Sequence, residues 1–369
     1  MTEARHFVFA GGGSGGHLTP SIAVSEQLLE LTPDCSVSFL TSGREIDQVV
    51  LGHSSLANDG RCEIVVLPVT ESPRLDVSAF RHLQALGRSV RQCRHLLQRR
   101  SANVVMGTGA FASLPGLIAA RYLKIPIVLF EANAAPGRVN RWWSKYATAR
   151  FSGWMTDDQA TSHKFEFVGM PTTSGQETVL TGTTGDSNTQ QLLIVGGSQG
   201  SQRLNELVVS AITQTGLPAN WHILHQTGSG KLPTPWPRNL SDRVRITDFI
   251  ADLPQQISDS TVVISRAGAV TISEITTAGR PCVLVPLRNT AEDHQQINAK
   301  RIANAGASAI VDEHSPHAID ELVSALQSLL NDEDARSRMQ RQSQTLQRPG
   351  AARLIARRLL ELAEQCETP

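Results

Sequence analysis

The sequence of 369 residues lacks the marks of a metal-binding, disulfide-bonded or membrane-spanning protein. Its five cysteines are odd in number and far apart, and no CxxC pair is present, so neither a zinc site nor a disulfide framework is indicated. No apolar run reaches the roughly 18 residues that a membrane span needs. Nothing like a signal peptide precedes the first apolar segment, so we expect a protein of the reducing cytoplasm.

Charge of one sign is also lacking, because 34 basic residues balance 34 acidic ones. A neutral chain is not drawn as a whole to nucleic acid, and no nucleic-acid partner is expected. The hydrophobic fraction of 40% and the charged fraction of 18% are those of a globular protein. The length exceeds what one ordinary hydrophobic core serves, which favours two domains.

Short apolar runs alternate with helical patterns in both halves of the chain, which is typical of βαβ units and parallel sheets. The strands predicted in the first half are Phe7–Ala10, Val37–Leu40, Ile64–Leu67, Val104–Met106 and Ile127–Phe130. Those predicted in the second half are Leu192–Val195, Trp221–Leu224, Val244–Ile246, Thr261–Ile264, Pro281–Val285 and Ala309–Val311. Large apolar residues almost vanish over 172–190, which indicates a linker.

The predicted organisation is an N-terminal domain over 1–171, the linker and a C-terminal domain over 191–348. A last segment, 349–369, contains a helix over Ala351–Glu364. The predicted fold class is α/β, with two Rossmann-like domains whose parallel sheets face each other across a cleft. Ligands are expected at the carboxyl ends of the strands.

Each half begins with a strand, a glycine turn and a helix. The first turn runs from Gly11 to His17, with a helix predicted over Leu18–Leu31, and the second runs from Gly196 to Gly200. Bare backbone N–H groups beside a helix N-terminus suit a phosphate or another oxygen-rich ligand. The first turn also matches GxGxxG, but the acid that a dinucleotide site needs after the second strand is absent from Thr41–Arg44.

Other motifs in the chain have competing interpretations. Both glycine turns fit the GxSxG nucleophile elbow, through Ser14 and Ser198, yet two equivalent copies are better explained by phosphate-type loops. Gly228–Lys231 resembles the end of a P-loop without its flanking residues. Asp332–Asp334 has D-x-D spacing, but its position between two helices favours a helix cap over a metal site.

The densest functional signal runs from Ser265 to Glu274, directly after a predicted strand. Glu274 has two interpretations. Its carboxylate can accept two hydrogen bonds from a sugar diol, or it can be a surface glutamate that the helix dipole stabilises. Gln295 and Gln296 follow the next strand, and their amides suit recognition of hydroxyl groups. Polar residues at this position are equally typical of a helix N-terminus.

A basic amphipathic helix is predicted over Phe80–Arg100. Its apolar residues recur every three or four positions: Leu83, Leu86, Val90, Cys93 and Leu97. Its arginines are Arg81, Arg88, Arg91, Arg94, Arg99 and Arg100, with Arg74 upstream and Asp76 as the nearby acid. Such a helix either covers a sheet with a solvated basic face or lies on an anionic membrane surface.

With these residues in view, nearly the whole chain resembles the MurG family of GT-B glycosyltransferases, motif by motif and in the same order. The matching segments are AGGGSGGHLTP, FEANAAPGRVNR, VGGSQGSQRLNE, HQTGSGK, DFIADLP, SRAGAVTISEITTAGRPCVLVPL and DHQQINA. The resemblance implies inverting transfer of GlcNAc from UDP-GlcNAc to the muramyl C4 hydroxyl of the undecaprenyl-linked lipid I. The product is lipid II of peptidoglycan, and no cofactor or metal is implied.

The resemblance also implies a peripheral protein at the cytoplasmic face of the inner membrane, with other cell-wall synthesis proteins as possible partners. The donor-side residues it implies are Thr173, Ser198, Ile250, Ala269, Val270, Thr271, Ile272, Ser273, Glu274, Gln295 and Gln296. The residues it places toward the acceptor and the sugar are Ser14, Gly15, Gly16, His17 and Asn133. His17 is the candidate base for the attacking hydroxyl, since imidazole titrates near neutrality.

The chain departs from the family pattern in three places. Ser14 replaces a threonine, Phe130–Asn133 lacks two polar residues, and Gly169–Thr173 lacks an asparagine and a donor-binding arginine. Arg266 or Arg203 is a candidate substitute for that arginine. The alternatives are a GT-B transferase for another UDP-sugar or acceptor, a cell-wall binding protein without turnover, and a Rossmann oxidoreductase.

Overall fold

The computed structural model describes residues 5–13, 15–68, 79–154, 164–172, 189–197, 199–231, 236–288 and 293–367. The chain divides into two compact units, and each is built on its own parallel sheet. Unit 1 comprises Met1–Glu177 and Arg348–Pro369, and unit 2 comprises Thr178–Gln347.

Unit 1 contains a seven-stranded sheet in the order β3-β2-β1-β4-β5-β6-β7. The strands are β1 His6–Ala10, β2 Ser36–Thr41, β3 Cys62–Val66, β4 Val104–Gly107, β5 Ile127–Glu131, β6 Ala149–Ser152 and β7 Glu166–Phe167. The helices up to the end of β7 are α1 Gly15–Leu31, α2 Glu45–Gly52, α3 Ala79–Arg99, α4 Leu114–Leu123 and α5 Arg138–Trp143. The residues of β1, β4 and β5 are fully buried, as expected of a parallel sheet covered on both faces.

Unit 2 contains a six-stranded parallel sheet in the order β10-β9-β8-β11-β12-β13. The strands are β8 Gln190–Val195, β9 Trp221–Gln226, β10 Val244–Thr247, β11 Val262–Ser265, β12 Cys282–Leu284 and β13 Ala309–Ile310. The helices are α6 Gln202–Thr215, α7 Leu253–Asp259, α8 Ala269–Thr277, α9 His294–Asn304, α10 Ala318–Asn331 and α11 Glu333–Thr345. As predicted, the D-x-D segment caps a helix, because the Asp332 carboxylate accepts a hydrogen bond from Ala335 N at 3.0 Å.

The final helix, α12 Ala351–Glu367, belongs to unit 1 and packs against α1. Its contact face is apolar and repeats every three or four residues: Ile355, Leu359 and Leu362 are at most 3% exposed. Among the helices that the structure describes, none is both long enough and apolar enough to cross a membrane.

The two sheets share one connectivity, in which the first strand of each unit lies between the second and the fourth. The connection changes direction between β1 and β4 in unit 1 and between β8 and β11 in unit 2. At such a switch point the loops after the two neighbouring strands part and leave room for a ligand at the carboxyl edge. This topology brings together loops that lie far apart in the sequence.

Helix α1 begins at Gly15, three residues earlier than predicted. Pro20 therefore lies inside the helix, where its missing N–H removes a backbone hydrogen bond. The early start places Gly15, Gly16 and His17 in that first turn. Their N–H groups have no acceptor within the helix.

Candidate active site

His17 spans the switch point of unit 1. Its Nδ1 lies 2.8 Å from the carbonyl oxygen of Thr108, which directly follows β4. A carbonyl only accepts hydrogen bonds, so Nδ1 carries the proton and the neutral ring presents the lone pair of Nε2. Among the described residues, none hydrogen-bonds to Nε2. The half-buried ring is thus held by one nitrogen while the other can accept a proton.

The first glycine turn is held by a buried acid that sequence reasoning missed. Asp47, in the first turn of α2, is 1% exposed, and its Oδ1 accepts a hydrogen bond from Gly13 N at 2.7 Å. Its Oδ2 accepts from Ser42 N at 3.1 Å and from Ser42 Oγ at 2.6 Å. Both oxygens accept hydrogen bonds within the protein, and the side chain is buried, so this carboxylate is part of the support of the turn.

Gly12 has no side chain because Asp47 occupies the space. A Cβ added to Gly12 would lie 2.7 Å from Asp47 Oδ2 and 3.1 Å from Ser42 N. Arg44 approaches the same loop, and its Nη1 donates to the Gly13 carbonyl at 3.4 Å. From the sequence, Asp47 is an acidic residue in the first turn of a helix. Such a residue is explained by the helix dipole alone, so the sequence does not indicate its contact with the glycine turn.

Asn133 lies in the loop after β5, and the buried Glu131 shapes that loop. Glu131 Oε1 accepts from the backbone N and from Nδ2 of Asn133, both at 3.0 Å. Its Oε2 accepts from Gly137 N at 3.0 Å and from Asn140 Nδ2 at 2.8 Å. This carboxylate fixes the Asn133 side chain at the carboxyl edge that also carries the first glycine turn.

The second glycine turn rests on the loop after β9. A Cβ on Gly200, whose φ is +67°, would lie 1.9 Å from the Thr227 carbonyl oxygen, so only glycine fits. Lys231 Nζ donates to the carbonyls of Gln199 and Gly200 at 2.8 and 3.2 Å. Lys231, which belongs to the P-loop-like segment, therefore stabilises the second glycine turn.

Asn205 of α6 holds the loop after β9 in place through hydrogen bonds. Its Nδ2 donates to the carbonyls of Thr227 and Lys231 at 3.1 and 2.7 Å, and its Oδ1 lies 3.0 Å from His225 Nε2. Burial lowers the pKa of His225 to about 4, so its ring is neutral and donates to this oxygen at physiological pH. Sequence reasoning missed this support because neither side chain faces a ligand.

Arg266 and Arg203, the candidate substitutes for the missing arginine, both have partners inside unit 2. Arg266 is 6% exposed, and its guanidinium donates to Glu313 Oε2 at 2.7 Å and to the Val285 carbonyl at 2.9 Å. It also donates to the hydroxyl of Ser201, which caps α6. Arg203 donates through Nε and Nη2 to the Glu313 carbonyl. Both arginines connect segments of unit 2, and a role of either in donor binding stays a prediction.

Helix α8 presents the clearest ligand-binding geometry. Gly268 offers no side-chain cap, so the N–H groups of Val270 and Thr271 have no acceptor within the helix. One turn further, the half-buried Glu274 has an Oε2 atom that no solvent reaches and no described residue hydrogen-bonds. Burial raises the pKa of this carboxyl to about 8. A buried unpaired carboxylate oxygen is costly, which argues against a simple surface glutamate.

Ile250 lies in the loop that follows β10. The two preceding carbonyls are occupied, Asp248 O by Gln226 Nε2 at 3.1 Å and Phe249 O by Thr247 Oγ1 at 2.9 Å. Within the described residues, the N–H and carbonyl of Ile250 have no such partner. This arrangement leaves one peptide edge available to a planar ligand.

Gln295 and Gln296 lie in the first turn of α9, after β12. Gln295 Oε1 accepts from Leu287 N at 3.0 Å, which orients its amide and leaves the NH₂ group as a donor. The residues expected after β10, β11 and β12 thus share the carboxyl edge of one sheet. Ser14, Thr173 and Ser198 lie outside the described residues.

The basic helix α3 is amphipathic, but its apolar face is only partly covered. Leu97 and Cys93 of the predicted apolar face are buried, whereas Leu83 of the same face is 65% exposed. The tertiary fold also adds an acid, because Glu63 of β3 pairs with Arg99 and Arg100 at 2.6 Å each. Asp76 itself lies outside the described residues.

The fold and the two glycine turns place the protein among the two-domain glycosyltransferases. Family models of the glycosyltransferase family 28 N-terminal and C-terminal domains match residues 7–152 and 191–355, and the chain belongs to this family. It is 30% identical to the UDP-N-acetylglucosamine--N-acetylmuramyl-(pentapeptide) pyrophosphoryl-undecaprenol N-acetylglucosamine transferase of Methylococcus capsulatus, over 98% of this chain and 99% of the relative.

Two further relatives agree with this assignment. The Cutibacterium acnes protein of the same name is 33% identical, over 82% of this chain and 83% of its own. The crystal structure of Acinetobacter baumannii MurG superposes with a TM-score of 0.73 at 25% identity, covering 97% of this chain and 99% of that one. The resemblance to the MurG family and the GT-B class of two parallel-sheet α/β domains are thereby confirmed.

Proposed function

We propose that this protein transfers GlcNAc from UDP-GlcNAc to the C4 hydroxyl of the muramyl residue of lipid I, giving lipid II. The observation that carries the proposal is Glu274, whose buried Oε2 atom has no partner among the described residues and which lies one turn into a helix without a side-chain N-cap. A nucleoside diphosphate supplies what both features need, namely a ribose diol for the carboxylate and phosphates for the helix end. The names of the family relatives supply the identity of the sugar and the acceptor.

Unit 2 is the proposed donor site. The diphosphate would lie at the N-termini of α6 and α8, since backbone N–H groups and helix dipoles stabilise the charge that develops on departing UDP. Uracil would hydrogen-bond to the open backbone of Ile250. The amide NH₂ of Gln295, which the Leu287 contact orients, would donate to a hydroxyl of the sugar.

Unit 1 is the proposed acceptor site, with His17 as general base. Its Nε2 would take the proton of the C4 hydroxyl as that oxygen attacks the anomeric carbon and the bond to UDP breaks. Attack from the face opposite the leaving group inverts the configuration at that carbon. The Thr108 carbonyl stabilises the imidazolium that forms, because it already accepts the hydrogen bond from Nδ1.

Turnover of UDP-GlcNAc with a water-soluble lipid I analogue tests the proposal directly, with release of UDP and formation of the disaccharide as paired readouts. We expect both products in equal amounts, with UDP-GlcNAc preferred over UDP-glucose and UDP-galactose. UDP binding without turnover would instead favour a binding protein. Binding of NAD(P)H in place of UDP would favour an oxidoreductase and contradict the proposal.

We also propose that unit 1 docks on the anionic cytoplasmic face of the membrane where lipid I is embedded. Three aromatic side chains of unit 1 are exposed, Tyr122 by 66%, Trp142 by 75% and Tyr146 by 45%. Two of them lie beside cations: the guanidinium of Arg94 on α3 is 3.9 Å from the centre of the Tyr122 ring, and the Lys145 ammonium is 5.0 Å from that of Tyr146. Exposed aromatic and basic side chains together suit the headgroup region of a bilayer.

Charge reversal on α3 should weaken binding to anionic vesicles. The variant changes Arg81, Arg88 and Arg91 to glutamate; all three are exposed. At about 1 kcal/mol for each basic residue near the surface, we expect affinity for phosphatidylglycerol-containing liposomes to fall by at least about 100-fold. The control reverses three exposed arginines of unit 2, namely Arg238, Arg245 and Arg341. Equal binding by the two variants would contradict the docking proposal.

A further inference from the structure

We infer that Asp47 is a positioning residue for the acceptor side of the reaction, because its buried carboxylate fixes the first glycine turn beside His17. The inference rests on the proposed function above and extends it to Asp47, which lies outside the seven quoted segments that resemble the family. Asp47 does not touch the reacting atoms. It acts through the backbone of Gly13, two residues before the first turn of α1, which holds His17.

The contacts of Asp47 are those of a carboxylate dedicated to one loop. It accepts three hydrogen bonds, from the N–H groups of Gly13 and Ser42 and from the Ser42 hydroxyl. The bond from Gly13 joins the turn after β1 to the helix that follows β2. Two neighbouring strand ends are therefore locked to each other directly below the turn.

The glycine run is shaped to receive this side chain. A Cβ on Gly12 would lie 2.7 Å from Asp47 Oδ2, so the absence of a side chain there admits the carboxylate. Gly13 has a φ of +84°, a conformation that costs glycine nothing and that the bond to Asp47 selects. A turn of consecutive glycines is otherwise mobile, and this bond removes that freedom before a substrate arrives.

An amide cannot replace this carboxylate. All three partner groups donate, and the carboxylate offers two accepting oxygens. In Asp47→Asn one of those oxygens becomes an NH₂ group, which must face the donor on either Gly13 or Ser42. The variant keeps the size of the side chain and loses the fit, so it loosens the turn without opening a cavity.

We expect Asp47→Asn to lower kcat/KM for the lipid I analogue by about 10–100-fold, since small displacements of reacting groups have effects of this size. The dissociation constant of UDP should stay within about twofold, because Asp47 lies in unit 1 and the proposed donor residues lie in unit 2. The matched control is Glu45→Gln, which removes the same charge from an exposed position two residues earlier on α2.

Hydrogen exchange of the peptide covering Gly11 to Gly16 provides a readout that is independent of turnover. We expect faster exchange in Asp47→Asn than in the wild type or in Glu45→Gln, at a temperature well below the melting transition of each. Ser42→Ala removes one hydrogen bond and keeps the one from Gly13, so we expect it to retain most of the activity. Should its activity fall as far as that of Asp47→Asn, the Gly13 bond would not be the one that matters.

The results separate failure of the inference from failure of the proposed function. Unchanged exchange in Asp47→Asn, or acceptor kinetics equal to those of Glu45→Gln, overturns the positioning role. A loss of kcat/KM that merely follows a lower melting temperature, with the acceptor KM unchanged, overturns it as well. Absence of lipid I turnover in the wild-type protein refutes the function instead, while exchange still tests the contact.

Discussion

Replacing His17 by alanine lowers kcat for GlcNAc transfer by about 10²- to 10⁴-fold, the range that removal of a general base produces. The proton on the attacking hydroxyl then has only water as an acceptor, while the donor site in the other unit keeps all its groups. UDP affinity should therefore change by less than about twofold, and the loss should appear in kcat. Steady-state kinetics with the lipid I analogue and calorimetry with UDP measure the two quantities separately.

His53 provides the matched control for this substitution. It lies in the same unit, and its Nδ1 is 2.7 Å from the Val49 carbonyl oxygen, just as that of His17 is 2.8 Å from Thr108. It follows α2 on the surface, away from the strand ends at which His17 lies. His53→Ala should keep the wild-type rate. A His17→Ala variant with full activity would show that another group accepts the proton.

Changing Glu274 to glutamine should weaken UDP binding and stabilise the free protein at the same time. A hydrogen bond to a charged group contributes about 1.5–3 kcal/mol, so loss of one from the ribose corresponds to roughly 10–100-fold in the dissociation constant. The neutral amide removes the cost of ionising a buried acid. We expect the free energy of unfolding at pH 8.5 to rise by about 1–2 kcal/mol.

The raised pKa of Glu274 also sets the direction of the pH dependence. The folded protein keeps this proton up to about pH 8, whereas the pKa of an unperturbed glutamate is 4.5. Between these two values the native state binds more protons than the unfolded state, so this residue makes the free protein less stable as pH rises. A ribose diol prefers the ionised carboxylate. UDP binding should therefore release protons below pH 8 and tighten as pH rises toward 8.

Calorimetry in two buffers with different ionisation enthalpies measures that proton release. In Glu274→Gln the release should vanish and the affinity should lose its dependence on pH. Glu333→Gln, an exposed change at the start of α11, is the control and should behave like the wild type. If Glu274→Gln bound UDP with wild-type affinity, the ribose assignment would be wrong.

Much of the architecture could be predicted because the spacing of apolar residues and the order of strands and helices are visible in the sequence. Continuous apolar runs separated by helical patterns predicted both parallel sheets, and the predicted β1 and β8 agree with the observed strands within two residues. The family motifs are local strings, so they could be recognised without knowing their neighbours in space. Residues after β8, β10, β11 and β12 could be assigned to one edge because parallel strands share a direction.

Partners from distant elements could not be predicted in this way. Arg266 was a candidate ligand-binding cation, and its ion pair with Glu313, 47 positions away, is not visible in the sequence. Leu83 fits the apolar period of α3, yet the helix extends beyond what it covers and leaves this side chain exposed. Periodicity specifies which residues share a face and does not specify how far the neighbouring element reaches.

The first glycine turn shows most clearly what the sequence determined and what only the tertiary structure determined. By itself the sequence determined that a flexible turn joins a buried strand to a helix, with His17 beside it and no acid immediately after the second strand. Only the tertiary structure decided that Asp47 reaches the turn from the next helix and that Gly12 is bare to admit it. The physical reason is that a run of glycines shows only where side chains are absent. The side chain that fills the space beside them belongs to another segment, which only folding brings close.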